Sequence, residues 1–322
     1  MDSRVKPRVS IGMPVYNGEN YIHYAIESVL AQTFQDYELV ICDNASTDST
    51  EAICRAYAEK DARIRYYRNP QNLGAGPNYN RAFELAQSPE YFKWLAHDDV
   101  IEPTFLEKCI AALDAAPDAV LCQTLISNID QDGSQYSVYD SALTMCRTSD
   151  QPSKRFGECI LKRHRNSDIF GVIRRSAMTG SVLHGDYYCQ DKAFVTDMSL
   201  QGRFLYIDEP LLGYRDHPDQ FTHALKVFET LSWHNTRGSR WNQAAYLLLF
   251  LDYVKMVRRN ISAGKERWRC YRHLVSWWFT DKNFYIASMG ILMAISPSTF
   301  HFIRDFRLRF IRRGQTPSYH LK

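Results

Sequence analysis

Two carboxylates stand side by side in the stretch YFKWLAHDDV (91–100), where six mostly apolar residues run into His97, Asp98 and Asp99. Alone, an Asp-Asp pair reads as a turn or a helix cap. Its company changes the reading. A second apolar run, YELVICDN (37–44), also ends in an acid, Asp43, inside the polar cluster DNASTD. A third, RVSIGMPV (8–15), ends just before Tyr16, Asn17 and Glu19. Hard oxygen donors gathered where phosphates can also be held suit Mg²⁺ or Mn²⁺.

The elements that must position these groups follow from periodicity. RVSIGMPV, YELVICDN, RIRYYRN (63–69) and YFKWLA read as four strands with helices between them. Tyr21, Ile22, Ala25, Ile26, Val29 and Leu30 recur at helical spacing, and Asp48 with Glu51 forms a capping pair for a helix through Ile53 and Tyr57. Pro77 after Gly76 suits the first turn of a helix carrying Ala82, Phe83 and Leu85. Alternating strands and helices predict an α/β chain with a mostly parallel sheet. Ligands in such sheets sit beyond the carboxyl ends of the strands, where the polar clusters fall. Residues 105–130 read as a helix and then a strand, and QDGSQYSVYDS (131–141) as a turn at Asp132-Gly133 followed by a linker.

Taken in order, VSIGMPVYNGENYIHYAIESVLAQTFQDYELVICDNASTDST, NLGAGPNYNRAFELA, YFKWLAHDD, GVIRRSAM and YYCQDKAFVTDMSLQGRFLYIDEPLLGYRDHP resemble the blocks of family 2 glycosyltransferases over roughly residues 8–222. The resemblance implies a GT-A fold and inverting transfer from a nucleoside-diphosphate sugar to an acceptor hydroxyl. It implies that Pro14, Tyr16, Asn17 and Glu19 line the nucleoside pocket and that Asp43 accepts a hydrogen bond from the base. A Pro-held backbone beside an aromatic ring gives a flat slot, and a carboxylate can accept from a ring N–H. Asn72, Gly74 and Asn80 match the third block, but Tyr79 stands where many members carry an Arg against the base. Asp99 is implied as the metal ligand and Asp98 as the contact to ribose or a metal-bound water, although Ala96 replaces the first acid of the usual motif. Asp191, in YCQDKAF, is implied as the general base, with Gln190 in place of the usual Glu; Asp186 and Asp197 compete, Asp197 with a solvated helix face as its plain alternative. GYRDHP (213–218) resembles a block returning to the diphosphate, where Arg215 would pair with phosphate and His217 would be a further metal ligand. The expected cofactor is Mn²⁺ or Mg²⁺. The expected partners are a donor, with a UDP-sugar favoured, and a glycan or lipid-linked acceptor in polysaccharide or glycolipid assembly, with no nucleic acid. Arg163, His164 and Arg165 are candidates to meet an anionic acceptor or form a solvated helix end.

Two other classes share parts of this pattern. A sugar-nucleotide nucleotidyltransferase would carry a Gly-rich basic loop after the first strand, which MPVYNGEN lacks. A catalytically silent nucleotide-sugar-binding module would lack the base or the metal ligands.

Composition sets the frame. The 322 residues are 45% hydrophobic, enough for a sizeable core. Eight cysteines are scattered with no C-x-x-C pair, which points to neither a zinc ribbon nor a secreted disulfide scaffold and suits a cytoplasmic setting. The opening MDSRVKPRVSIGMPVY lacks a signal-like apolar stretch. Between Val254 and Arg313 stand 13 Lys/Arg and 3 Asp/Glu, a local charge of +10 in a chain whose total is +3. The domain reading is a catalytic unit over 1–224, its nucleotide-sugar part at about 8–100, and a basic, aromatic helical region over 225–322. In FHFIRDFRLRFIRR (300–313), Phe302, Ile303, Phe306 and Phe310 share an arc of about 100°, with Arg304, Arg307, Arg309 and Arg312 outside it. That segment is expected to touch the inner face of a membrane or to pack on the catalytic unit.

Overall fold

The computed structural model describes residues 6–87, 89–185, 187–218, 240–296 and 298–299. Its first half alternates strand and helix: β1 (Val9–Val15), α1 (Ile22–Leu30), β2 (Tyr37–Asp43), α2 (Thr50–Lys60), β3 (Ile64–Arg68), α3 (Ala75–Glu84) and β4 (Tyr91–Trp94). β1 pairs in parallel with β2 on one side and β4 on the other, and β3 continues the parallel run beyond β2. Every residue of β1, β2 and β4 is buried, as in a sheet covered on both faces. Val9, Ile11, Met13 and Val15 meet Ile22, Ala25, Ile26 and Val29 of α1 in one core, while Phe92 and Trp94 pack with Phe83 of α3 in a second.

The second half completes the sheet with β5 (Val100–Ile101), α4 (Phe105–Ala115), β6 (Ala119–Ile129), β7 (Gln135–Tyr139), α5 (Thr144–Thr148), α6 (Pro152–Leu161), β8 (Val172–Arg174), α7 (Arg175–Met178), α8 (Gln190–Gln201) and β9 (Arg203–Arg215). The strand order is β3-β2-β1-β4-β8-β6-β9-β5, with β7 on β6. β6 and β9 run parallel, whereas β8 joins β4 to β6 by antiparallel pairs. The linker expected after Asp132-Gly133 is instead the strand β7, closing a hairpin on β6. Four of its five residues are exposed, so it carries no burial pattern to mark it as a strand.

Three helices follow, α9 (Ala245–Asn260), α10 (Lys265–Phe279) and α11 (Asn283–Ile295). Leu249, Tyr253, Met256 and Val257 of α9 and Cys270, Leu274 and Trp277 of α10 share a core with Phe156 and Ile160 of α6 and Ala193 and Leu200 of α8. The C-terminal helices therefore pack on the second half of the sheet unit. Among the described residues no helix is long and apolar enough to cross a membrane. The segment 300–313 lies outside the described residues.

Candidate active site

The loops after β1 and β2 are tied to each other by short polar groups. Asn17, held at a left-handed φ of 52°, donates its backbone N–H to Ser46 Oγ (2.9 Å) and accepts from Thr47 N at Oδ1 (2.9 Å). Asn tolerates that conformation better than most residues. Gly18 donates to Thr50 Oγ1 (2.8 Å), and a Cβ there would lie 2.6 Å from the His97 ring, so any larger residue would force the loops after β1 and β4 to shift apart. Glu19 accepts the Ser49 N–H at 2.9 Å, and its own N–H donates to Asp48. The expected Asp48–Glu51 capping pair is not formed: Asp48 accepts from Thr50 N, while Glu51 pairs with Arg55 and Arg68. Glu19, expected in the pocket, does the capping across the two loops.

At the end of β4 the two carboxylates are in different situations. Asp98 Oδ2 meets His217 Nε2 at 3.1 Å. Burial opposes its ionisation, but His97 and the bond to His217 hold it below the usual carboxylate range. Burial, and then the charge of Asp98, push Asp99 well above that range. Asp99 Oδ1 accepts Arg215 N (3.0 Å), whereas Oδ2 is buried with no hydrogen-bond partner. His217 Nδ1 is likewise buried and unpartnered. With Nε2 turned to a carboxylate, a neutral His217 offers Nδ1 as a lone-pair donor, the arrangement by which metal-ligating histidines are fixed. An orphaned carboxylate oxygen and an orphaned ring nitrogen fit a divalent cation. Among the described residues no group of three His, Cys, Asp or Glu forms a metal cluster.

Arg215 is buried, and its guanidinium differs from expectation. Nε donates to the Asp98 carbonyl (2.9 Å) and Nη1 to those of Asp130 and Gln131, with the cation over Tyr21 and Tyr24. It fastens the loop bearing Asp98 and Asp99 to the β6–β7 turn, in place of the free phosphate partner expected. The reason is that β9 runs beside β6 as far as Ile129↔Arg215, which sets the side chain against that turn.

Asp191 lies in the first turn of α8, as expected. Its Oδ2 accepts from Asn166 Nδ2 (3.0 Å) and its Oδ1 from Lys192 N (2.8 Å). Asn166 opens the short turn Asn166–Phe170, whose last carbonyl accepts from the buried ammonium of Lys93. Burial brings Lys93 down to about 7. Burial, then the charges of Asp98 and Asp99, with Tyr214 and Asp191, hold the Tyr79 hydroxyl far above the ordinary tyrosine range. Of the competing bases, Asp186 lies outside the described residues. Asp197 is not the solvated residue expected: it is fully buried and receives Val182 N (3.0 Å), Asn260 Nδ2 (2.7 Å) and an ion pair from Arg259. The covering helix α9 reverses its exposure.

On the nucleoside side, Pro14 is buried and Tyr16 is 45% exposed at the strand end. Asp43, fully buried, accepts Ser46 N (2.9 Å) and the Tyr66 hydroxyl (2.6 Å). Asn44, Asn69, Asn72 and Asn78 bond to one another, and Asn78 reaches the Cys42 carbonyl, fixing the turn before α3 to the end of β2. Asn80, expected against the nucleotide, spends both ends of its amide on the backbone of His184 (2.7 and 2.9 Å) and so holds the loop before α8. Arg163 pairs with Asp281, His164 faces the Cys159 carbonyl, and Arg165 bonds to Asn128 over the Tyr139 ring. Sequence reasoning passed over Tyr66, Asn166 and Lys93. A lysine within an otherwise apolar strand was the one signal available for any of them.

The fold is that of GT-A glycosyltransferases. The chain aligns with the crystal structure of Staphylococcus aureus TarS 1-349, a protein also solved with UDP and with UDP-GlcNAc, at a TM-score of 0.61 and 15% identity, covering 98% of this chain and 94% of that one. A mannosyltransferase of Pyrobaculum calidifontis in complex with GDP-Man and Mn²⁺ gives 0.52 and 14%, over 95% and 81%. The chain belongs to glycosyl transferase family 2, whose model matches residues 10–178. An uncharacterized glycosyltransferase of Rickettsia typhi is 41% identical over 108 residues, a stretch covering 34% of this chain and 32% of the relative.

Proposed function

We propose that the protein transfers a sugar from a nucleoside-diphosphate sugar to an acceptor hydroxyl with inversion at the anomeric carbon. The observation that carries the reading is the buried, unpartnered Oδ2 of Asp99, next to Asp98 and the His217 that Asp98 binds. Asp99 and His217 would hold Mn²⁺ or Mg²⁺, which when bound neutralises charge on the departing diphosphate. Pro14, Tyr16 and Asp43 would form the nucleoside slot, with Asp98 reaching ribose or a bound water. Asn17, Glu19, Asn80 and Arg215 would act one step back, by fixing the loops.

Asp191 would take the acceptor proton as the acceptor oxygen bonds to the anomeric carbon, while the bond from that carbon to the phosphate oxygen breaks and its electron pair leaves with the diphosphate. The donor most favoured is a UDP-sugar, the class bound by TarS. The acceptor would be a glycan or a lipid-linked glycan at the cytoplasmic face of a membrane. The catalytic unit would span 1–224 and the C-terminal region 225–322.

A thermal-shift screen of nucleotide sugars with and without Mn²⁺ tests this, since a ligand at about 100 times its Kd stabilises the folded state by about 2.7 kcal/mol. Metal-dependent stabilisation by one nucleotide class is the expected result. No shift with any donor would overturn it.

A further inference from the structure

The solvent side of α10 carries an apolar stripe that no other element among the described residues covers. Cys270, Leu274 and Trp277 are buried against α6 and α9, whereas Trp268, Val275 and Phe279 are 70%, 60% and 82% exposed. At 100° per residue the exposed three fall within about 40° of one another, nearly opposite the buried three. Lys265, Arg269 and Arg272 are exposed along one flank of the stripe. Past the end of the helix come exposed Lys282 and Phe284, the latter with its ring 6.2 Å from Trp278. Between 265 and 282 the chain holds five Lys/Arg against two Asp/Glu.

We propose that this face of α10 docks the protein on an anionic lipid bilayer, with Trp268, Val275 and Phe279 in the headgroup boundary and Lys265, Arg269 and Arg272 on the phosphates. The occupant follows from shape and charge. The stripe is one side chain wide and about 16 Å long at 1.5 Å per residue. A strip of that length and one side chain in width covers far less than the roughly 800 Å² per partner of a stable protein interface. Shallow insertion needs only such a line of aromatics, and each Lys or Arg near an anionic surface adds about 1 kcal/mol. The surface is distinct from residues 300–313. It deepens the membrane-side part of the transfer reading without depending on the chemistry of the site.

The test is sedimentation of the full chain with vesicles of phosphatidylcholine, and of phosphatidylcholine mixed with phosphatidylglycerol. Wild type should bind the anionic vesicles at low salt, be released by salt, and ignore the neutral ones. The double variant Trp268→Ser/Phe279→Ser and the single variant Arg272→Glu should each bind about tenfold more weakly or worse, since 1.4 kcal/mol is tenfold. Unchanged melting temperature and unchanged Mn²⁺-dependent nucleotide binding would show that fold and active site are intact, which separates this claim from the transfer reading. Wild type that fails to bind, variants that bind as tightly as wild type, or a wild-type dimer that the double variant dissociates while neither sediments with vesicles would each overturn the proposal.

Discussion

Asp191 differs from the other carboxylates of the site in having a side-chain amide aimed at it. Asn166 donates to Oδ2, so the carboxylate is oriented from the turn Asn166–Phe170 as well as from its own helix. Asp191→Asn should retain donor binding and lose transfer by about 10² to 10⁴, the usual worth of a general base. Asn166→Ala should lower kcat by roughly tenfold with donor affinity unchanged. An Asn166→Ala enzyme altered only in KM would contradict the positioning role. Two residues on, Asp168 is fully buried and pushed by that burial from an ordinary value near 3.8 to about 7. The folded state therefore keeps a proton that the unfolded chain releases. The stability this contributes is fully present below about pH 4 and is lost as pH rises through about 7. The melting temperature of Asp168→Asn relative to wild type should climb over that window and level off above it. At 1.36 kcal/mol per pH unit the gain is at most about 4 kcal/mol. A difference that stays flat with pH would contradict the assignment. The types and order of Asp43, Asp98, Asp99 and Asp191 were legible in the sequence because each ends a strand, follows one closely or starts a helix. The commitments of Asn80 and Arg215 to backbone carbonyls and amides were not, because those partners lie about a hundred residues away.

Among the elements, α8 is the joint between the site and the C-terminal helices. Its first turn holds Asp191, and its buried Asp197 binds Arg259 and Asn260 of α9 together with the N–H of Val182. Removing that carboxylate strands several donors at once. Asp197→Ala should cost about 3 kcal/mol, the lower end for breaking a buried pair. Arg259→Ala should cost only about 1 kcal/mol, since its side chain is 37% exposed. Denaturant titration of both variants checks the order, and equal losses would mean that the ion pair, and not the shared carboxylate, holds the joint. Periodicity revealed α1, α3 and the strands β1 to β4 because burial on both faces or on one stripe leaves a pattern. It missed β7, whose pairing with β6 is backbone work by an exposed strand. It misjudged Asp197 because nothing within α8 shows that α9 lies on top of it.

For the whole molecule, the charge asymmetry now has a partial structural setting: α9 and α10 join their apolar faces to the core of the sheet unit and leave Lys255, Arg258, Lys265, Arg269 and Arg272 exposed, while the strand ends carry the acids. Fold and family agree on a GT-A glycosyltransferase architecture. The central claim is that a cation held at Asp99 joins donor to protein. Calorimetric titration of UDP into wild type and Asp99→Ala, each with and without Mn²⁺, tests it most directly. Wild type should bind UDP at least tenfold more tightly with Mn²⁺, and Asp99→Ala, still folded, should lose that enhancement. An Asp99→Ala protein that keeps the full Mn²⁺ effect would contradict the account.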